Sequence, residues 1–248
     1  MYRNAAAVVV VVATLYVGQS AHAENQLNCF TYNSVMSRAL FNTTGTYATE
    51  GPALIDVTEC AHSKTGIYGE TFLLLPFDKF DVGKEFDARL GIRPKVPGLN
   101  VDSSVAWYGF TVGDIKLQTL DFRLRLGHTF PLATDTTLEL FGMLDYQHSL
   151  TFGTDWVGLG TGAVFSTILA LPGKPNLRLV AEGWKWPAIT TPGNGHLGSF
   201  RASFGFTIPG TKVVMGPNVH VTLGGVDERH SSKVRRSFGV FVFAPFGF

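Results

Sequence analysis

Long segments in which apolar and polar side chains alternate run through most of this chain, and they limit its fold more than any other feature. The stretch LQTLDFRLRLGHTF shows the pattern best. One side of it carries Leu120, Phe122, Leu124 and Leu126. The other side carries Thr119, Asp121, Arg123 and Arg125. Because successive side chains of a β-strand point to opposite faces, this pattern predicts strands with one apolar and one polar side.

Twelve such segments are separated by turn-like stretches rich in Gly, Pro, Asp and Asn, and they comprise residues 29–42, 53–61, 66–77, 84–94, 101–111, 115–129, 136–149, 156–170, 175–187, 196–208, 212–224 and 232–248. A soluble β-sandwich and a transmembrane barrel share this pattern. Sandwich strands usually have about 5–6 residues, whereas a tilted membrane-spanning strand needs about 9–11. The segment lengths therefore predict an all-β fold, a single antiparallel up-and-down transmembrane β-barrel of about 12 strands.

The first residues, MYRNAAAVVVVVATLYVGQSAHA, have the layout of a secretory signal peptide. Arg3 precedes an apolar run that is shorter than the roughly 20 residues of a spanning helix, and an A-x-A cleavage site ends at Ala23. We expect residues 1–23 to be removed and residues 24–248 to form an outer-membrane β-barrel in a Gram-negative bacterium. A membrane anchor is the alternative interpretation of the first segment.

The C-terminal stretch VRRSFGVFVFAPFGF is apolar at every second residue counted back from its end. It resembles the C-terminal signature of bacterial outer-membrane barrels, which the barrel-assembly machinery recognises. The resemblance implies that Phe246 and Phe248 form an assembly signal, and that this machinery and the lipid bilayer are partners. An ordinary apolar terminal strand is the alternative. Phe241 and Phe243 fall on the inward side, where we expect them to pack against the contents of the lumen.

Composition excludes several classes of function. The net charge is +1 and charged residues make up 16% of the chain, so no basic face is expected and no nucleic-acid partner is predicted. No spacing of Cys, His and Asp suggests a metal site, and no glycine-rich loop between a strand and a helix suggests a nucleotide. We therefore expect no cofactor.

Both termini of such barrels lie in the periplasm. This rule places periplasmic connections near residues 62–65, 94–100, 130–135, 171–174 and 209–211. It places external connections near residues 43–52, 78–83, 112–114, 150–155, 188–195 and 225–231. Cys29 opens the first segment and Cys60 closes the second, so both thiols are expected at the periplasmic rim, where a disulfide can form. Two free thiols are the alternative.

Charged residues collect on the polar side of the predicted strands. The residues expected to line the lumen are Arg89, Arg93, Asp121, Arg123, Arg125, Glu139, Asp145, Arg178, Glu182, Arg201 and Arg235. With Lys212 and Lys233 the basic candidates number nine, and with Glu70, Glu85 and Asp87 the acidic candidates number seven. This balance predicts a polar conduit with a mild preference for anions. A lumen closed by paired charges is the alternative.

An outer-membrane lipid hydrolase is the enzymatic alternative. Such enzymes carry His-x-Ser followed by Asn on the lipid-facing wall. Here His148 directly precedes Ser149, so their side chains point to opposite faces. His230 and Ser232 have the right spacing, but Lys233 follows them. We therefore expect that the chain is not an enzyme.

Two further features bear on the barrel. Aromatic residues near segment ends are expected to form interfacial girdles, and these are Phe30, Tyr32, Trp107, Tyr108, Tyr146, Trp156, Trp184, Trp186, Phe246 and Phe248. Trp184 and Trp186 share the side of Arg178, so the lumen is an alternative place for them.

Pro217 removes a backbone donor from the eleventh segment and predicts a bulge there.

The stretches SRALFNTTGTYATEGPALIDVT, GIYGETFLLLPF and EFDARLGI resemble the opening of the TorF-type porin family, and the matching positions are Arg38, Gly51, Pro52, Gly66 and Tyr68. The Trp that this family carries in its third strand is absent. The resemblance covers about 60 residues and implies a porin-like barrel. Together these features predict a small outer-membrane channel for small polar or anionic solutes, with a charged lumen. A structural or adhesive barrel with a closed lumen and an exported soluble β-protein are the alternatives.

Overall fold

The computed structural model describes residues 27–39, 49, 51–77, 84–112, 115–186, 195–225 and 234–247. These residues form strands, turns and irregular segments, and none of them is helical. The strands are β1 Leu27–Met36, β2 Ala53–His62, β3 Ile67–Pro76, β4 Lys84–Ile92, β5 Lys95–Val96, β6 Leu99–Val112, β7 Ile115–Ala133, β8 Thr136–Ser149, β9 Asp155–Ile168, β10 Asn176–Trp186, β11 Gly195–Thr207, β12 Val214–Gly225 and β13 Val234–Gly247. Within the described segments, no helix is long and apolar enough to cross a membrane.

The sheet closes on itself as an antiparallel barrel of twelve long strands, while β5 is a two-residue strand in the connection between β4 and β6. Each long strand pairs with the next long strand along the chain. β13 pairs with β1 from Asn28↔Gly247 to Met36↔Gly239, and this pairing joins the ends of the sheet. The predicted all-β, twelve-stranded barrel is confirmed.

The barrel has two rims. We call the rim that carries Leu27 and Gly247 the proximal rim, and the opposite rim, which carries Met36 and Ala53, the distal rim. The predicted signal peptide, Phe248 and most of the longer distal connections lie outside the described residues.

The exterior of the barrel is largely apolar between the rims. On β7, Phe122 and Leu124 are exposed while the alternate side chains face inward. On β13, Phe238 is 61% exposed and Val240 is 53% exposed, and Phe246 lies on the same outward side. Outward rows of this kind suit contact with hydrocarbon, as in outer-membrane barrels.

Several strand bounds differ from the predictions. β1 ends at Met36 rather than at residue 42. The expected turn at 94–100 is instead a small hairpin, in which Lys95 pairs with Asn100 and Val96 pairs with Leu99. Gly98 has φ +71° in this hairpin, a backbone conformation that glycine adopts without steric cost. β7 continues to Ala133, so the expected turn at 130–135 shrinks to the residues just before β8.

Pro217 does not produce the predicted bulge. On the β13 side it pairs with Val240 within an unshifted register. On the β11 side the ladder pairs Ser203 with Asn218 and resumes at Phe206 with Met215 in the same register. The missing N–H of proline therefore accompanies a gap in the β11–β12 ladder without an inserted residue.

Many of the expected girdle aromatics lie inside the barrel. Tyr32 stacks on Phe241, with ring centroids 5.6 Å apart, and Phe30 packs against Phe243 at 5.3 Å. Tyr108 and Trp156 lie on inward positions, and so does Trp184, which is buried. Trp107, Tyr146 and Phe246 face outward. The girdle prediction is therefore wrong for most of the described residues, because strand parity rather than closeness to a strand end sets the direction of a side chain.

The wall formed by β1, β2 and β3 reverses the usual polarity. Its inward side carries apolar residues such as Val57, Phe72 and Leu74, and Leu74 packs against Ala53 in a buried cluster. Its outward side carries Thr31, Asn33, Asp56, Thr58 and Thr71. Cys29 and Cys60, which are directly paired on the same outward side, form a disulfide between β1 and β2.

Candidate functional site in the barrel interior

The residues predicted to line the lumen all face the interior. They belong to strands β4, β7, β8, β10, β11 and β13, except that Arg93 follows the last residue of β4. The outward rows on the same strands are apolar, so the alternation in the sequence sets the direction of these charges. Two other basic candidates differ: Lys212 lies in the turn between β11 and β12, and Lys233 lies outside the described residues.

A central cluster of charges lines one side of the interior at the middle of the barrel. Arg123 lies 3.4 Å from the carboxylate of Asp121 and 3.3 Å from that of Asp145. Both aspartates are 1% exposed. Arg89, on β4, is 3.3 Å from Glu70 and donates to the Tyr108 hydroxyl at 3.0 Å.

Tyr108 and a direct ion pair join the two halves of this central cluster, since Arg89 also lies 3.9 Å from the Asp121 carboxylate. The Tyr108 hydroxyl donates a hydrogen bond to Asp121 while it accepts one from Arg89. Gln147 donates to Asp145 at 3.2 Å. Consequently the cluster runs from β3 to β8 around the interior wall, and its members hold one another in place.

A second cluster lies near the proximal rim. Arg93 binds the Glu59 carboxylate with two hydrogen bonds, of 2.5 and 2.8 Å, and donates to Asp102 at 2.8 Å. Arg125 lies 2.8 Å from Glu139. Arg93, Asp102, Arg125 and Glu139, together with the β5 hairpin, line a cavity of about 650 Å³ at this mouth.

Aromatic rings lie beneath the arginines. The Arg125 guanidinium carbon is 4.1 Å from the centroid of Phe141, and that of Arg93 is 3.9 Å from the centroid of Tyr68. Phe141 also belongs to a buried apolar cluster with Trp184 on the β8–β10 wall. Such faces attract a guanidinium and leave its edge free to bind carboxylates.

Glycines on β9 provide the space for these rings. A Cβ on Gly160 would lie 2.9 Å from the Trp184 ring, and one on Gly162 would lie 2.6 Å from the Phe141 ring. Both glycines face inward. A larger residue at Gly160 would therefore displace the Trp184 ring, and one at Gly162 would also meet the backbone carbonyl oxygen of Ala181 at 2.5 Å.

Three charged residues of the interior have no ion-pair partner among the residues that the structure describes. Glu85 and Asp87 are inward neighbours on β4 toward the distal rim, and Arg178 lies on β10 toward the proximal rim. Asp87 is 8% exposed, and its Oδ1 atom has no hydrogen-bond partner in the described part of the chain. Arg201, by contrast, is 2.8 Å from Glu182.

Sequence reasoning missed two interior carboxylates, Glu59 and Asp102. With them, the described interior strands carry nine acidic side chains, at positions 59, 70, 85, 87, 102, 121, 139, 145 and 182, against seven arginines, at positions 89, 93, 123, 125, 178, 201 and 235. Asp102 could have been found, because it alternates with Val101, Ser103 and Val105. Glu59 could not, because the polarity of β2 is reversed.

The histidines on the described strands show no arrangement typical of a hydrolase. His148 faces outward and lies 2.7 Å from Asp155, and Ser149 is on the other parity. His220 is buried inside the barrel, 2.9 Å from the Ser199 hydroxyl. His230 and Ser232 fall outside the described residues. Among the residues that are described, no group of three His, Cys, Asp or Glu side chains could hold a metal ion.

The connection after β1 contributes to the distal mouth. Ala39 is buried in the cluster with Ala53 and Leu74, and its backbone N–H donates to the Thr49 hydroxyl at 2.9 Å. Arg38 and Ser237 exchange hydrogen bonds, which hold the start of the connection against β13. Both described ends of this connection are therefore packed against the interior side of the distal rim.

Comparison with solved structures identifies the same architecture. A bacterial polysaccharide outer membrane secretin matches with a TM-score of 0.53 and 8% identity, over 92% of this chain and 100% of that chain. An outer membrane channel from Pseudomonas putida matches with a TM-score of 0.50 and 11% identity, over 92% of this chain and 98% of that one. No family model matches the sequence, and the search of curated proteins finds no relative. This chain has the fold of an outer-membrane β-barrel.

Proposed function

We propose that this barrel is a narrow, porin-like channel of the bacterial outer membrane for small polar solutes, anionic ones among them. The observation that carries the proposal is the distribution of charge in the interior, which extends from Asp87 near the distal rim through Arg123 to Arg93 near the proximal rim. Arg178 and Asp87, which have no ion-pair partner among the described residues, are expected to be hydrated in an open lumen. A wet, charged interior enclosed by an apolar exterior is the arrangement of a pore.

Selectivity of this channel is weak in our proposal. Most guanidinium groups face a carboxylate, as Arg125 faces Glu139 and Arg201 faces Glu182, so their fields largely cancel. Glu85 and Asp87, which lack an ion-pair partner in the described part of the chain, favour cations near the distal mouth, and Arg178 favours anions near the proximal mouth. Small zwitterionic or weakly charged solutes fit such a lumen best.

The proposal extends to the orientation of the barrel in the membrane, its export and its partners. We propose that the proximal rim faces the periplasm and that residues 1–23 are a cleaved signal peptide. The bilayer contacts the outward apolar rows, and the barrel-assembly machinery recognises the last strand through Phe246 and Phe248. Kinship with the TorF-type porins stays a prediction, which rests on Arg38, Gly51, Pro52, Gly66 and Tyr68.

Conductance of the purified barrel in a planar bilayer tests the proposal. We expect discrete, small current steps. Replacing Arg123 and Arg125 by Gln should move the reversal potential in a salt gradient toward cation preference, and replacing Glu85 and Asp87 by their amides should move it toward anions. Each variant is first checked for heat-modifiable migration on gels, which reports a closed barrel.

A structural barrel with a closed lumen is the second candidate. The burial of Asp121 and Asp145 at 1% exposure favours it, because residues in an open waterway are wetter. Under this alternative the folded protein would stay electrically silent at high protein load. Current steps that appear in both double variants, but with unchanged ion preference, would indicate a non-selective leak rather than the proposed channel.

A further inference from the structure

The outward side of β1, β2 and β3 carries a polar patch in the zone where the neighbouring outward rows are apolar. Two rows of paired residues form it: Thr31, Thr58 and Thr71 lie in one, and Asn33 and Asp56 lie in the other. The next row toward the distal rim is apolar and contains Val35, Leu54 and Leu75. The patch is therefore separated from the distal rim by apolar side chains.

Asp56 is the feature of this patch that a bilayer tolerates least. It is the only outward carboxylate of the described strands apart from Asp155, which opens β9 at the rim. Arginine and lysine can extend to the headgroups, but the short side chain of Asp56 cannot. Ionisable groups at lipid-exposed positions within the bilayer are costly, and such groups usually mark a functional contact.

Contacts within the chain satisfy only part of the patch. The Thr31 hydroxyl lies 3.4 Å from Asp56, and the Asn33 amide donates to Thr31 at 3.0 Å. Among the described residues, Thr58 and Thr71 have no side-chain hydrogen bond. Donors and acceptors on this patch are thus available to a partner, and lipid chains offer them nothing.

We propose that the Thr31–Asn33–Asp56–Thr58–Thr71 patch is the surface through which two copies of this chain associate within the membrane. Copies inserted in the same direction present the same groups at the same depth, which another protein would match only by coincidence. The patch is also self-complementary, because Asn33 and the threonines of one copy can donate to Asp56 of the other. Small outward neighbours, Gly69 and Ala88, allow the two walls to approach closely.

This association does not depend on conduction through the lumen, because every group of the patch lies on the outer wall. Apolar residues around the patch, including Val35, Leu54 and Leu73, would lose lipid contact and pack against the second copy. The polar groups would then lie at the centre of an apolar contact, where hydrogen bonds specify the pairing.

Photo-crosslinking in native outer membranes tests the contact. A photoreactive phenylalanine analogue at Thr58 should give a product with twice the mass of the chain, and the same analogue at the outward Leu124 on β7 should not. Mass spectrometry of the product must find peptides of this chain alone. A product that contains another protein, or none at Thr58 in the folded barrel, would overturn the proposal.

The variant Asp56→Leu provides the second arm. We expect it to keep heat-modifiable migration and to lower the dimer fraction, at fixed protein and detergent concentrations, by about tenfold, as for the loss of a hydrogen bond to a charged group. Thr161→Val, an outward threonine of β9, is the matched control and should leave the dimer unchanged. An unchanged dimer in folded Asp56→Leu would refute the role of the patch. If Asp56→Leu does not fold, the crosslink at Thr58 decides alone.

Discussion

At the scale of single residues, Arg123 is the most constrained charge of the interior. It lies between the carboxylates of Asp121 and Asp145, which are almost completely buried, and its guanidinium carbon is 6.0 Å from the centroid of Trp184. Two buried carboxylates without a cation would repel each other and would lack compensation for lost hydration. Asp121 also lies 3.9 Å from Arg89, so Asp145 is the carboxylate that depends on Arg123 alone among the described residues.

Replacing Arg123 by Gln should lower the free energy of unfolding by about 3–5 kcal/mol, because it leaves the buried Asp145 without a described ion-pair partner and Asp121 with Arg89 alone, at 3.9 Å. Urea unfolding in detergent or lipid vesicles measures the change. Arg201→Gln is the control, since that pair is 37% exposed on its arginine side and should cost less than about 1 kcal/mol. Adding Asp145→Asn to Arg123→Gln should recover part of the loss, and a double variant no better than the single one would contradict this account.

At the scale of strands, the register of β1 and β2 depends on two contacts near the proximal rim. Cys29 and Cys60 are directly opposite each other and joined by a disulfide, and one position along, Glu59 of β2 is bound by Arg93. A shift of one residue would turn every side chain of β2 to the other face. These two contacts thus hold β2 with Asp56 outward. In the usual arrangement of such barrels, polar side chains like that of Asp56 would face inward.

Replacing both Cys29 and Cys60 by Ser should lower the free energy of unfolding by about 3–4 kcal/mol on the chain-entropy model, because the bond closes a long loop in the unfolded chain. The denaturation midpoint with and without reductant measures it. Intact-mass analysis after alkylation gives the control: the oxidised protein should take up no label. Two labelled thiols in the folded protein would mean that the disulfide does not form.

Strands β7 and β2 show what the sequence can and cannot predict. Regular alternation on β7 was enough to predict that Arg123 faces inward and Leu124 outward, since parity alone decides it. Partners could not be predicted in this way, because the pairing of Arg123 with Asp145 depends on the register between β7 and β8. Alternation fails on β2, where apolar Val57 faces inward because neighbouring strands, rather than its own pattern, determine its direction.

At the scale of the whole barrel, the pairing of strands makes the two rims distinct. The connection between β8 and β9 lies at the distal rim and contains Phe152, which is 68% exposed. The connection between β9 and β10 lies at the proximal rim and contains Lys174, with φ 42°. If the proximal rim is periplasmic, only the first of these connections is accessible from outside the cell.

Labelling of introduced cysteines in intact cells tests this orientation. A membrane-impermeant maleimide should label Phe152→Cys on whole cells, and it should label Lys174→Cys only after the outer membrane is permeabilised. The native cysteines form a disulfide and stay silent. If only Lys174→Cys is labelled on whole cells, the orientation of the barrel in the membrane is opposite to the one proposed.

The join between β13 and β1 has a consequence for biogenesis. β1 is the first and β13 the last of the described strands, yet their hydrogen bonds complete the ring. A ribosome that stalls before β13 would release a sheet with two bare edges, which hydrocarbon cannot solvate. Nonsense or frameshift alleles upstream of the β13 codons should therefore behave as nulls, with the shortened product cleared by proteases instead of retained as a partly working pore.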